Sequence, residues 1–170
     1  MDSDSSMELV TSTALFASFI AFTFYSKISS NKTKQLSDQS KKYNGSCHCG
    51  KVTFEVQAPK HLVAWDCNCS ICYMKKNWHF VVPLANFHLL SGQNVLTEYK
   101  FNTMVAKHVF CSYCGVQAYY TPRSNPDGIA VTLACISQDE IESYEIRKFD
   151  GNNWEDFIND SGISAFSKEK

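Results

Sequence analysis

A chain of 170 residues that is 44% apolar and 14% aromatic is long enough for one globular domain with a sizeable core and an appendage. Its formal charge of -1 argues against the basic face that neutralising a phosphate backbone requires, so nucleic acid is an unsuitable partner. The outlying count is eight cysteines, and their spacing decides between a disulfide framework and metal ligands.

From Leu9 to Ser26 the run LVTSTALFASFIAFTFYS carries no charge, and this length reaches the lower limit of roughly 17 to 25 residues needed to cross a bilayer. Asp2, Asp4 and Glu8 precede it, while Lys27, Lys32, Lys34, Lys41 and Lys42 follow. The positive-inside rule then places the rest of the chain in the cytosol. The acidic start and the bulky Phe24 and Tyr25 lack the marks of a cleaved signal peptide. Residues 1–26 are therefore expected to form a hydrophobic helix that anchors the chain to a membrane. The alternative is a helix packed on the domain or on a partner, in a soluble cytoplasmic or nuclear protein. Residues 27–42 read as a polar, basic linker, 43–160 as the domain, and 161–170, ending in SKEK, as a flexible tail.

Within the domain, short segments alternate at period two: Val52, Phe54 and Val56 in KVTFEV, then Val95, Thr97, Tyr99 and Phe101 in VLTEYKF. GVQAYYT, IAVTLACI and SYEIRKF follow, separated by turn residues such as Ser91-Gly92 and Asn125-Pro126-Asp127-Gly128. This pattern predicts a mainly β, chiefly antiparallel domain. One helix is expected, in NNWEDFIND, with Asn152 or Asn153 as its cap and Trp154, Phe157 and Ile158 on the face that lids the sheet.

Seven of the cysteines fall into three groups: Cys47/Cys49, Cys67/Cys69/Cys72 and Cys111/Cys114. Such short spacings present metal ligands from turns. Cys49-Gly50 and Cys114-Gly115 each place a glycine where the backbone must bend toward an ion. Cys47, Cys49, Cys111 and Cys114 are accordingly paired as one closed tetrahedral zinc site. The triplet Cys67, Cys69 and Cys72 is left one ligand short. Cys135, His48, His79 and His108 are the candidates for the fourth position. Cys135 shares a strand phase with Ile129, Val131 and Leu133, which favours a small core residue. His48 lies between two ligands and should point away, and His79 precedes the apolar FVVP, as a buried histidine would. A three-thiolate site with an open position is the economical reading, and that is the pattern of a catalytic zinc. Soft sulfur donors suit an incoming thiol better than water.

The runs GSCHCGKVTFEV, DCNCSIC and HVFCSYCGVQAYYTPRSNP resemble the glutathione-dependent formaldehyde-activating enzyme family. CNCSIC, the Phe101-Asn102-Thr103 stretch and YTPRSNP are most similar to its animal branch, the centromere protein V-like proteins. The resemblance spans about Asn44 to Ile158. It implies a β-tent fold of two antiparallel sheets with two zinc ions. Cys47, Cys49, Cys111 and Cys114 would hold the structural ion, and Cys67, Cys69 and Cys72 the catalytic one. The implied reaction is that of a carbon-sulfur lyase, the reversible addition of the thiol of glutathione, as co-substrate, to formaldehyde. Tyr73 or His79 are candidates to supply a proton, and Lys75, Lys76 or Arg123 to bind the carboxylates of glutathione. The long basic amino-terminal region of centromere protein V has no counterpart here, and Ala134 stands where that branch more often has histidine. The competing reading is a non-catalytic β-tent module in which both ions only hold a protein-binding surface together.

Overall fold

The computed structural model describes residues 38–168. The hydrophobic segment expected over 1–26 lies outside them, as does most of the linker. Among the described residues, no helix is long and apolar enough to cross a membrane.

Two sheets make up the domain. Strands β1 (Ser40–Ser46), β2 (Thr53–Pro59) and β5 (Phe87–Ser91) form a small antiparallel sheet in the order β1-β2-β5. The larger sheet contains β3 (His61–Cys67), β4 (His79–Pro83), β6 (Leu96–Tyr99), β7 (Lys107–Cys111), β8 (Tyr119–Thr121), β9 (Gly128–Thr132) and β10 (Ser143–Phe149). Its order is β10-β3-β4-β9-β8-β7-β6. One pairing departs from the antiparallel expectation: β10 runs parallel to β3, with Ser143 opposite His61 and Phe149 opposite Cys67. A parallel pair needs a long crossover, and the chain supplies it by building β4 to β9 before returning to the free edge of β3.

Strands β4 and β9 are buried on both faces, which is why FVVP and GIAVT read as continuous apolar runs. Their side chains alternate between two cores. Phe80, Val82, Ile129 and Val131 pack with Tyr43, Phe54 and Val56 of the small sheet. Val81 and Ala130 face the other way, onto Trp65, Phe149 and the apolar residues Trp154, Phe157 and Ile158. Phe54 sits at the centre of the first core, its ring centroid 5.2 Å from that of Phe87 and 6.0 Å from that of Tyr119.

Two α-helices lie within the domain, besides short 3-10 turns. The first, α1 (Ser70–Lys75), is a short helix inside the stretch that the sequence pattern reads only as a turn. It ends at Lys76, whose left-handed φ of 52° lets its N–H reach the Cys72 carbonyl at 2.9 Å. The second, α2 (Trp154–Ser161), has Asn153 at its N-cap position and Glu155 and Asp156 in the first turn, as its sequence predicts. Its Trp154, Phe157 and Ile158 pack against the second core. The chain then turns through Ile163–Ser167 and buries both ends of that turn. Asn125, fully buried, clamps it by donating to the Ile163 carbonyl at 3.1 Å and to Ser167 Oγ at 2.8 Å. Residues 163–167 are thus held against the domain by a buried asparagine whose amide satisfies their backbone and hydroxyl acceptors. Strand β9 ends at Thr132 and a tight turn over Leu133–Cys135 follows, so strand phase does not extend to Cys135. Cys135 is half-buried against the first core nonetheless.

Phe54→Ala should destabilise the domain by about 3–5 kcal/mol, the usual range for emptying a buried aromatic site. Urea unfolding is expected to show a lower midpoint with an unchanged slope.

Candidate metal centre

Cys47 and Cys49 lie in the turn that follows β1, and Cys111 and Cys114 at the end of β7 and in the turn after it. Both turns have one construction. The glycine N–H bonds back to the first cysteine, Gly50 to the Cys47 carbonyl at 3.0 Å and Gly115 to the Cys111 carbonyl at 2.8 Å. Both glycines are left-handed, with φ of 73° and 74°, a conformation that costs other residues roughly 1 kcal/mol or more. The four sulfurs converge within 4.8 Å of one another. Cys47 Sγ is 3.6 Å from Cys49 Sγ, which is 3.7 Å from Cys111 Sγ. A tetrahedron of sulfurs about 2.3 Å from a zinc ion has edges of about 3.8 Å, so the donor set fits that ion. Backbone N–H groups already favour thiolate here: the amide of Val116 lowers Cys114 to about 6, and that of Cys114 lowers Cys111.

The second group gathers where β3 meets α1. Cys67 ends the strand, Cys69 is the helix N-cap residue and Cys72 lies one turn in. Their sulfurs also fall within 4.8 Å of one another, and among the described residues no histidine or carboxylate joins them. Three thiols packed this closely share one negative charge. Hydrogen bonds from Cys67 and Cys72 hold Cys69 down at about 2, while hydrogen bonding with Cys69 pushes Cys67 up to about 11. Cys72, caught between the other two, is pushed far higher. Only a bound cation would let all three ionise together, which is the behaviour of a metal-ligand set. The space beside them is tight. A Cβ at Gly151 would lie 2.5 Å from Cys67 Sγ and 2.6 Å from Cys69 Cβ, so glycine is required in what the sequence shows only as a turn.

These three cysteines face a cavity of about 440 Å³. Its wall includes His79 of β4, His108 of β7 and Tyr120 of β8. His108 is paired directly with Tyr120 across the β7–β8 ladder, and their rings stack at 4.9 Å. His79 meets Tyr120 edge-on, also at 4.9 Å, over the small Ala130 that lies between them in the sheet. Both histidines are 3% exposed, and His79 Nε2 and His108 Nδ1 have no protein partner. Burial, with a push from the Lys75 ammonium, lowers both, His79 to about 4, so they are uncharged at neutral pH. Burial and the negative charge of the adjacent thiols hold the Tyr120 phenol well above its ordinary range. The Phe101-Asn102-Thr103 stretch also lines the cavity, its Phe101 ring 5.6 Å from that of His108, with Asn102 and Met104 both left-handed at φ of 51° and 59°. Asparagine tolerates that conformation; for methionine it is strain.

The residues singled out in the sequence are dispersed more widely than their spacing suggests. Tyr73 is 62% exposed on the outer side of α1, with the Lys76 ammonium 3.6 Å above its ring. Lys75 points elsewhere, to Gln117 Oε1. Together with Ala134 and Cys135 it borders a separate cavity of about 600 Å³ near the four-cysteine group. Arg123 does line the cysteine cavity, stacked 3.6 Å over Trp154 and paired with Glu155. His48 is exposed. Tyr120 and Gly151 were not singled out by sequence reasoning. The available signal for Tyr120 was its place in the aromatic run of GVQAYYT, which marks core and cavity residues alike.

The model of a family described as "Glutathione-dependent formaldehyde-activating enzyme" matches residues 42–149. A Rhodobacter sphaeroides protein, whose crystal structure was solved as a structural-genomics target, is 30% identical. The similarity covers 61% of this chain and 99% of that one, with a TM-score of 0.52.

Because nothing lies within 4 Å of a Cβ built on Gly115, Gly115→Ala should cost only the backbone term, about 1 kcal/mol. Gly115→Asn, which tolerates a left-handed φ, should cost less. Thermal or urea unfolding of the zinc-loaded variants measures both, and a loss of several kcal/mol would show that the turn matters for another reason.

Proposed function

Because the chain belongs to the glutathione-dependent formaldehyde-activating enzyme family, we propose that it is a zinc-dependent carbon-sulfur lyase. The reaction is the reversible addition of the glutathione thiol to formaldehyde, giving S-hydroxymethylglutathione. One observation carries this reading: Cys67, Cys69 and Cys72 converge without a fourth donor among the described residues and face a cavity. Three protein ligands with one exchangeable position are the pattern of a catalytic site. Cys47, Cys49, Cys111 and Cys114 would hold a second ion that closes the junction of the sheets, giving two per chain. When bound to the triplet, zinc would keep a coordinating thiol deprotonated at neutral pH.

The chain's own residues do the rest. In the addition, a sulfur lone pair forms the carbon-sulfur bond and the carbonyl π pair moves onto oxygen. That oxygen takes one proton, equal to the one the thiol gave up, so the net reaction neither consumes nor releases protons. Tyr120, kept protonated by burial and by the adjacent thiols, is suited to donate a hydrogen bond to the growing charge on oxygen. His79, uncharged in the same wall, has a buried Nε2 without a protein partner, and in its Nε2–H tautomer that nitrogen would be a second donor. Trp65, Val81 and Phe149 make the floor apolar, which strengthens each of these interactions by excluding water. Arg123, the member of the cation set that borders the cavity, suits a glutathione carboxylate.

CNCSIC, Phe101-Asn102-Thr103 and YTPRSNP support assignment to the centromere protein V-like branch of the family. All eight cysteines are free thiols, the state that a cytosolic environment maintains.

Zinc content and glutathione-dependent formaldehyde consumption test the proposal together. Wild type is expected to hold two ions and consume formaldehyde. Cys69→Ser is expected to hold one ion, keep its fold and lose activity by at least a factor of about 100, as removal of a catalytic metal demands. An inactive wild type that retains both ions would sink the lyase and leave a zinc-stabilised protein-binding module.

A further inference from the structure

Apart from the cysteine group itself, formal charge in this cavity is confined to one place. Among the residues that line it, Arg123 is the one permanent cation and Glu155 the one carboxylate, and they are paired with each other. The two histidines of the wall are uncharged. Arg123 is the more sheltered partner, with 27% of its side chain exposed against 75% for Glu155. Its guanidinium lies over the Trp154 ring, which fixes its position and leaves N–H groups free at the edge. The loop that carries Arg123 is also tied to the segment that follows α2, the helix that carries Glu155. Asn125, two residues beyond Arg123, donates to the Ile163 carbonyl and to Ser167, in the segment that follows α2.

An adjacent cation and carboxylate select among ligands. A lone carboxylate that reaches Arg123 is repelled by Glu155 and must displace it. A group bearing an ammonium and a carboxylate on one carbon satisfies both, its carboxylate on Arg123 and its ammonium on Glu155. Glutathione ends in a lone carboxylate at its glycine and in such a zwitterion at its γ-glutamyl residue.

We propose that Arg123, Trp154 and Glu155 form a subsite for the α-amino-acid head of the substrate thiol. Glutathione then lies with its γ-glutamyl end on this pair and its glycine toward solvent, and the substrate class is thiols that carry a free α-amino-acid group. This rests on the thiol-addition reading of the same cavity.

Calorimetric titration of the zinc-loaded full chain tests it with three probes: glutathione, N-acetylglutathione and the glycyl ethyl ester of glutathione. Acetylation removes the ammonium and should weaken binding about tenfold, the scale of one charge-assisted hydrogen bond, while the ester should bind within about twofold of glutathione. Glu155→Gln should abolish the discrimination against N-acetylglutathione, and Arg123→Gln should weaken glutathione and its ester alike. Equal binding of glutathione and its N-acetyl form, weakening by the ester instead, or full discrimination retained by Glu155→Gln would each overturn the subsite. If wild type binds none of the three, the thiol-addition reading itself fails.

Discussion

Burial of β4 and β9 on both faces is the constraint on which the remaining structure depends. A strand with no solvent-facing side must send alternate side chains into two separate apolar layers. The small sheet covers one layer and α2 with its following turn covers the other. The cavity is the part of the second layer that is left unfilled. His79 lines it beside the small Ala130, its diagonal neighbour on β9. The same requirement explains the parallel β10, whose Phe149 completes the second core beside Trp65.

Electrostatics in this cavity follow from how little water reaches it. Buried imidazoles lose their charge, the Tyr120 phenol keeps its proton, and three neighbouring thiols cannot ionise together without a cation. The interior thus offers neutral hydrogen-bonding groups and one concentrated demand for positive charge. Arg123 and Glu155, the remaining charges, stand at the rim, where partial hydration makes them tolerable. Chemistry at the cysteines and recognition at the rim are in this way separated by the dielectric of their surroundings. The four-cysteine group lies apart from both, joining the turn after β1 to the end of β7.

Local features were legible in the chain. Period-two alternation located Phe54 and Val56 on the buried face of β2, and the spacing of Trp154, Phe157 and Ile158 marked the covered face of α2. Gly50 and Gly115 announced two left-handed turns. By contrast, α1 was hidden because its six residues are too few for a helical period to repeat. The ordered turn at Ile163–Ser167 was hidden because its partner, Asn125, is distant in sequence.

What the sequence by itself determined is therefore which cysteines group into candidate metal-ligand sets and the type of most main elements. Each cysteine pair or triplet lies a few residues apart on a single turn, and side-chain periodicity is a property of the local backbone. Tertiary structure alone decided which groups surround the open site. It put His79, His108 and Tyr120 in the wall, turned Tyr73 and Lys76 out to solvent, and brought Arg123 against Trp154 and Glu155. Those neighbours come from β4, β7, β8 and α2, whose mutual placement is set by sheet order and burial. No spacing along the chain encodes it.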